Sequence, residues 1–264
     1  MELEKVVNKL KRSNTFIFIS VVLVILSSLI TITAGSGLLR DFYKETIGYK
    51  GGQIEIVESL TAGTNIGYFN NILGAPVFVN NYGTSTEHIY VNKYYYVQAV
   101  TNREGNVEFY SVTTRRKNFN PEFKLGGWTV DGPTKTIRLG KSTFSEVDEI
   151  EKNNVTVLYS IMGAHNSFYT EGYWHGNPNN YQSYFISQNE SGYLNTRPVK
   201  NVELKPETFL ESSVIEDNEI LDFRKNAVIN TFTTTAPMLI PSKIDLSPGE
   251  ILLGPDYNQV RVMK

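Results

Sequence analysis

From Ser13 to Leu39 this chain carries no charged residue, and the run Phe16-Ile-Phe-Ile-Ser-Val-Val-Leu-Val-Ile-Leu-Ser-Ser-Leu-Ile-Thr-Ile32 at its centre is almost wholly apolar. A bilayer needs roughly 20 such residues in a helix. The spacing therefore predicts a transmembrane helix over 15–35, with a tail at 1–14 and the remainder on one side of a membrane. Lys5, Lys9, Lys11 and Arg12 precede the run, whereas Arg40 and Lys44 after it are balanced by Asp41 and Glu45. The positive-inside rule then places the N-terminus in the cytoplasm and the body outside it, at a bacterial inner (plasma) membrane if the chain is bacterial. A cleaved signal peptide is the competing reading, with Ala34-Gly35-Ser36 as its small-residue site. The apolar run, however, exceeds the 7–15 residues of a signal core. With no cysteine, neither a lipid-modified cysteine nor a disulfide is available.

The rest of the chain reads as a β-rich α+β body. It holds most of the 16 Tyr and 14 Phe. A net charge of −2 offers no concentrated basic surface for phosphate, so no nucleic-acid partner is expected. Residues 36–58 read as a juxtamembrane linker in which Gly48, Gly51 and Gly52 break whatever helix forms. Next comes a short, two-turn helix with Thr64 as its cap, Ile66, Phe69, Ile72 and Leu73 as its apolar face, Gly74 at a left-handed stop and Pro76 beyond. Strands are expected at Val77–Val79, His88–Val91, Tyr94–Thr101 and Val107–Thr113, the last two joined by Asn102-Arg-Glu-Gly105 as a hairpin. Alternation puts Tyr95, Val97, Ala99 and Thr101 on the face toward the helix.

The Leu60-x-x-Gly63 start, the aromatic helix and the Leu73-Gly-x-Pro76 exit resemble the SmpA/BamE-like fold of small bacterial envelope domains, over Leu60 to about Thr114. Phe69-Asn-Asn-Ile-Leu-Gly-Ala-Pro-Val-Phe-Val-Asn80, Tyr95–Thr101, Ser111–Arg115 and Gly163-Ala-His-Asn166 are similar to bacterial single-pass membrane proteins that share an ETEC-type domain. That resemblance implies an envelope architecture and no particular activity. A second, diverged unit is expected over 119–199 after the first over 59–118. Thr143 and Glu146 are spaced as a capping box, strands are expected at Val155–Tyr159 and Tyr181–Gln188, and Asn189-Glu-Ser-Gly192 repeats the Asn-x-x-Gly of the first hairpin. Residues 200–264 would complete the body with a helix around 222–231 and a final strand at 259–263.

No nucleophile elbow, Walker loop or dinucleotide fingerprint is present. His165, Glu171 and His175 could be thought of as metal ligands, but their spacing lacks the close pairing of a metal site and no fourth ligand is evident. No catalytic residue, metal or cofactor is therefore expected. The sharper candidate is a binding surface of Tyr169, Tyr173, Trp174, His175, Asn177 and Tyr181, since rings give apolar area and amides fix orientation; the alternative is that half of these rings are core. Two functional classes follow. One is a non-enzymatic envelope module that binds a protein, a glycan or itself. The other is a ligand sensor that oligomerises through its membrane helix, where Ser20, Ser27 and Thr31 form a small-residue stripe.

Overall fold

The computed structural model describes residues 48–125, 135–147, 155–161, 167–175, 181–196, 202–204, 218–239 and 251–263. Among these no helix is long and apolar enough to cross a membrane, and the Ser13–Leu39 run lies outside them. The chain divides into a unit of residues 1–52 and a body from Gln53 onward. The body is α+β, built on one antiparallel sheet.

Helix α1 (Tyr49–Glu58) runs through Gly51 and Gly52, which were expected to break it. No side chain or backbone from elsewhere comes within 4 Å of where a Cβ would stand on either glycine. Helix α2 (Ile66–Leu73) has the expected apolar face, with Phe69 fully buried. Its cap is Asn65 and not Thr64: Asn65 is extended (φ −72°, ψ 146°) and its side chain accepts from Gly67 N at 2.9 Å. The Thr64 hydroxyl donates backwards to Thr61 O. Gly74 stops the helix at φ 83° and ψ −165°, a positive φ as expected but outside the left-handed helical well.

Nine strands form the main sheet: β1 (Phe78–Tyr82), β2 (Ser85–Val91), β3 (Tyr95–Thr101), β4 (Val107–Thr114), β7 (Val155–Ile161), β8 (Phe168–His175), β9 (Gln182–Asn189), β10 (Val202–Leu204) and β11 (Thr231–Thr235). Between β4 and β7, β5 (Glu122–Leu125) and β6 (Lys135–Arg138) pair as a separate ribbon, followed by a 3-10 turn at Phe144–Val147. Helix α3 (Asn218–Asn226) precedes β11, and helix α4 (Tyr257–Val260) with a 3-10 turn at Arg261–Met263 closes the chain. The expected final strand at 259–263 is thus helical, its start fixed by Asp256, which accepts from Asn258 N at 2.8 Å.

The strand order is β1-β2-β3-β4-β11-β9-β8-β7-β10. Two meanders, β1–β4 and β7–β9, therefore meet at β11, which pairs with β4 through Phe232↔Val112 and with β9 through Phe232↔Ile186. The segment expected to complete the body is the strand that joins its two halves.

Alternation assigns two faces. On the helix face, Tyr95, Val97, Ala99, Tyr110, Val112, Phe232, Ile186, Tyr169 and Tyr173 share one core with Phe69, Phe144 and Phe223. The reading of β3 holds there. The opposite face carries Tyr96, Gln98 and Val100, and these are buried as well, so every position of β3 is buried. What covers them is the C-terminal strap, residues 251–263. Leu253 packs among Val100, Phe109, Phe168 and Phe185, and Val260 against Ile89 and Tyr96.

Candidate functional site

Strand β8 alternates Tyr169, Glu171 and Tyr173 onto the helix face, which places a carboxylate in an aromatic core. Glu171 is fully buried, and so is Arg224 of α3 at 1% exposure. Ile220, Phe223 and Arg224 lie on the inward stripe of that helix. Phe223 packs against Tyr169 at a tilt of 56° with centroids 4.6 Å apart, and Phe144 meets the same ring edge-on at 4.9 Å. This packing aims the guanidinium at Glu171. Arg224 Nε donates to Glu171 Oε1 at 2.7 Å and Nη2 to Oε2 at 3.1 Å. The Tyr169 hydroxyl also donates to Oε1, and the Tyr173 hydroxyl to Oε2 at 2.5 Å.

Four donors on two oxygens occupy the acceptor capacity of a carboxylate. Burial works against the Arg224 charge, but the Glu171 carboxylate outweighs it and moves the guanidinium pKa further up. Burial first, and then the neighbouring Glu171 charge, holds the Tyr169 phenol protonated well above its ordinary range. With both oxygens taken up by protein donors, the carboxylate locks α3 to the sheet. Glu171 is thereby removed from the His165, Glu171, His175 set. His165 and the His175 side chain lie outside what is described.

The six-residue surface divides on the same alternation. Tyr169 and Tyr173 are 2% and 1% exposed and belong to the core, which corrects their assignment to a surface. Trp174 points to the other face and is half-buried, while Tyr181 is 44% exposed. Their rings lie 6.3 Å apart. The His175 side chain and all of Asn177 lie outside the described residues. Met238 joins the pair and was not expected from sequence: its N–H donates to Tyr181 O at 2.8 Å, and its side chain is 69% exposed. Tyr181 (φ 52°) and Met238 (φ 71°) are the two non-glycine residues with positive φ among those described. Bulky residues in that conformation cost energy that the surrounding structure must overcome. The Ser183 hydroxyl, next to Trp174 in register on β8 and β9, donates to Leu239 O and pins the segment down.

Two further polar groups lie beneath the helix face. Among the described residues, the fully buried Gln188 has no hydrogen-bond partner at either end of its amide, and the Ser160 hydroxyl, 3% exposed, has none either. Both flank Tyr169 in register, Ser160 on β7 and Gln188 on β9. On the opposite face, Glu87 accepts from Gln98 Nε2 at 2.5 Å and from Asn80 Nδ2 at 2.7 Å. Among the described residues no group of three His, Cys, Asp or Glu side chains is placed to hold a metal ion.

No protein-family model matches the chain, and no curated protein does. Among solved structures, the crystal structure of a cysteine-rich secretory protein from Staphylococcus aureus subsp. aureus Mu50 aligns with 43% of this chain at 17% identity and a TM-score of 0.21. The aligned part spans 38% of that protein's length, a likeness too slight to inform fold or function.

Proposed function

We propose that this chain is a membrane-anchored, non-enzymatic envelope protein whose α+β body, outside the cytoplasm, binds a protein or cell-wall partner through the patch of Trp174, Tyr181 and Met238. The observation that carries the reading is the coincidence of exposure and strain. Two large side chains stand in solvent on left-handed backbone, hydrogen-bonded to each other's segment beside a tryptophan. Strain kept at an exposed apolar site is a mark of a site held ready for a contact. The uncharged run from Ser13 to Leu39, with its basic flank, supports the anchor and its orientation.

The two meanders read as diverged tandem units of a BamE-like kind, each a helical turn followed by an antiparallel meander. In support, Asn102 and Asn189 make the same Asx turn. Asn102 Oδ1 accepts from Glu104 N at 3.1 Å and Asn189 Oδ1 from Ser191 N at 2.8 Å, and in each the glycine three residues on closes back to the asparagine carbonyl. The sensor reading has one observation in its favour, the buried amide of Gln188, which has no partner among the described residues and which a small polar ligand would satisfy.

The test is a photo-crosslinking amino acid placed at Tyr181 of the full chain in intact bacterial cells, alongside a reporter active only outside the cytoplasm fused after Lys264. An active reporter and a discrete adduct at Tyr181, absent when the probe replaces Glu104 at a distant turn, are expected. A silent reporter would reverse the topology, and no adduct beyond that of the distant probe would end the patch hypothesis.

A further inference from the structure

Strand β4 runs out into Arg115-Arg116-Lys117, and the fold gathers further cations around this point. Arg115 is the hub. Its Nη1 donates to Asn92 O at 2.5 Å and its Nη2 to Met263 O at 2.6 Å, while the guanidinium lies over the Tyr96 ring, 4.5 Å from its centre. The turn that opens β3 and the last turn of the strap are thereby fixed beside it. Lys93 stands exposed in the first, Arg116 and Lys117 next to the hub, and Arg261 in the second. None of these four is ion-paired among the described residues. The segments 92–94, 115–120 and 257–263 contain no Asp or Glu, and Asp256 is taken up in capping α4.

The same end of the body carries apolar surface. Val262 is 74% exposed and Met263 39%, although Val260 fills a socket against Ile89 and Tyr96 just before them. Arg115 holds this turn by its main chain, which leaves the two side chains presented to solvent. Exposed cations alone are ordinarily a solvated strand end, and single exposed apolar residues need no explanation. Together they suit an anionic bilayer surface, where the charges meet phosphate and the apolar groups enter among the headgroups.

The chain also enters the body here. The body begins at Gln53, whose Oε1 accepts from Asn92 Nδ2 at 3.0 Å and from the Tyr95 hydroxyl at 2.7 Å. Asn92 is the residue whose carbonyl Arg115 holds. The tether from the uncharged Ser13–Leu39 run therefore reaches the body at its basic end. By register, Trp174 and the Asn102–Gly105 turn lie at the opposite end of the sheet.

We propose that this end of the body, with Lys93, Arg116, Lys117, Arg261, Val262 and Met263, is a docking surface for anionic phospholipid headgroups, so that the body rests on the membrane that anchors it. The proposal rests on the anchor reading and uses none of the residues of the Trp174 patch. Docking by the basic end turns that patch away from the bilayer, where a partner can reach it.

The chain has no cysteine, so a single introduced one takes a fluorescent dye cleanly. Full-length Val262→Cys and, as the distant control, Glu104→Cys are labelled and reconstituted into vesicles that carry a lipid quencher at headgroup depth. The vesicles are phosphatidylcholine alone, or equal parts phosphatidylcholine and phosphatidylglycerol. Flotation of protein with the vesicles reports on the anchor, and quenching reports on the docking surface. Flotation is expected with both compositions. With phosphatidylglycerol, quenching at Val262 should be about threefold or more above that at Glu104, and should fall to the control level in high salt and in an Arg116→Glu, Lys117→Glu chain. Equal quenching at the two positions, or quenching at Val262 indifferent to lipid charge and to the double substitution, would overturn the proposal and leave the anchor standing. Flotation with neither composition would overturn both. Flotation with the anionic vesicles alone would end the anchor reading, and its loss in the double variant would uphold the docking surface while its persistence would overturn it.

Discussion

At Gln188 the physical expectation runs against intuition about polar residues. An amide buried with both ends unpaired costs the full desolvation of the group, and an apolar side chain of similar size removes that cost without opening a cavity. Gln188→Leu should therefore stabilise the body by about 1 kcal/mol or more, seen as a rise of roughly 2–4 °C in a thermal melt. A fall would mean that the amide has a partner in solution, and the sensor reading would gain at the expense of the binding module. Trp174 is the complementary case. As a half-buried ring on the strap face its loss should shift the urea midpoint by less than the 3–5 kcal/mol of a core aromatic while abolishing the crosslinked adduct at Tyr181. A core-sized loss of stability would assign Trp174 to the fold and dissolve the patch.

Single elements turn on glycines whose demands differ. Gly74 has open space around it, so its substitution costs only backbone strain, but ψ −165° puts it in a region that asparagine does not favour. Gly192 is the reverse: a Cβ there would stand 2.7 Å from Thr113 Cγ2, 2.8 Å from Thr114 O and 2.9 Å from Asn230 Nδ2. Gly74→Asn should rescue nothing relative to Gly74→Ala, and Gly192→Ala should cost about 1–3 kcal/mol through overpacking in urea unfolding. An asparagine at 74 that behaves like glycine would mean that α2 ends in a left-handed turn, as its sequence suggests. Local signals of this kind were legible: the α2 face, the hairpin at Asn102–Gly105, and the alternation of β3. What sequence did not disclose was pairing at long range. Thr231–Thr235, four threonines around Phe232, suits a strand, but nothing in it announces a central one, and the helix expected around 222–231 ends at Asn226 instead. The Glu171–Arg224 pair did leave a trace, because alternation puts a lone carboxylate between two inward tyrosines and so requires a buried cation. Which cation it was depended on how α3 docks.

At the scale of the whole molecule, stability against pH follows from which groups the fold keeps uncharged. Burial raises the Glu87 pKa above 4.5, against the hydrogen bonds from Gln98 and Asn80 that favour its charge. Its contribution is therefore complete at low pH and is lost as pH rises through that raised value. Burial lowers the His88 pKa below 6.5, so its contribution is present above that pH and lost as pH falls. Within the acid range the two oppose each other, and Glu87→Gln should leave a body whose stability rises with pH where the wild type is flatter. The alkaline side has no such opposition. Burial pushes the Tyr90 phenol up to about 12, and burial likewise raises those of Tyr96, Tyr110, Tyr169 and Tyr184. Between the ordinary phenol value near 10 and those raised values the unfolded chain loses protons that the folded one keeps, so stability falls as pH rises. Five such groups acting together give a slope of at most about 7 kcal/mol per pH unit, from 1.36 kcal/mol for each. Because β11 ties both meanders into one sheet and these tyrosines lie on either side of it, the fall should appear as one cooperative transition above pH 10. Urea midpoints taken at intervals from pH 8 to 11.5, with tyrosinate absorbance read on the same samples, would check this. Two separate unfolding transitions would show that the halves are not joined as the sheet order requires.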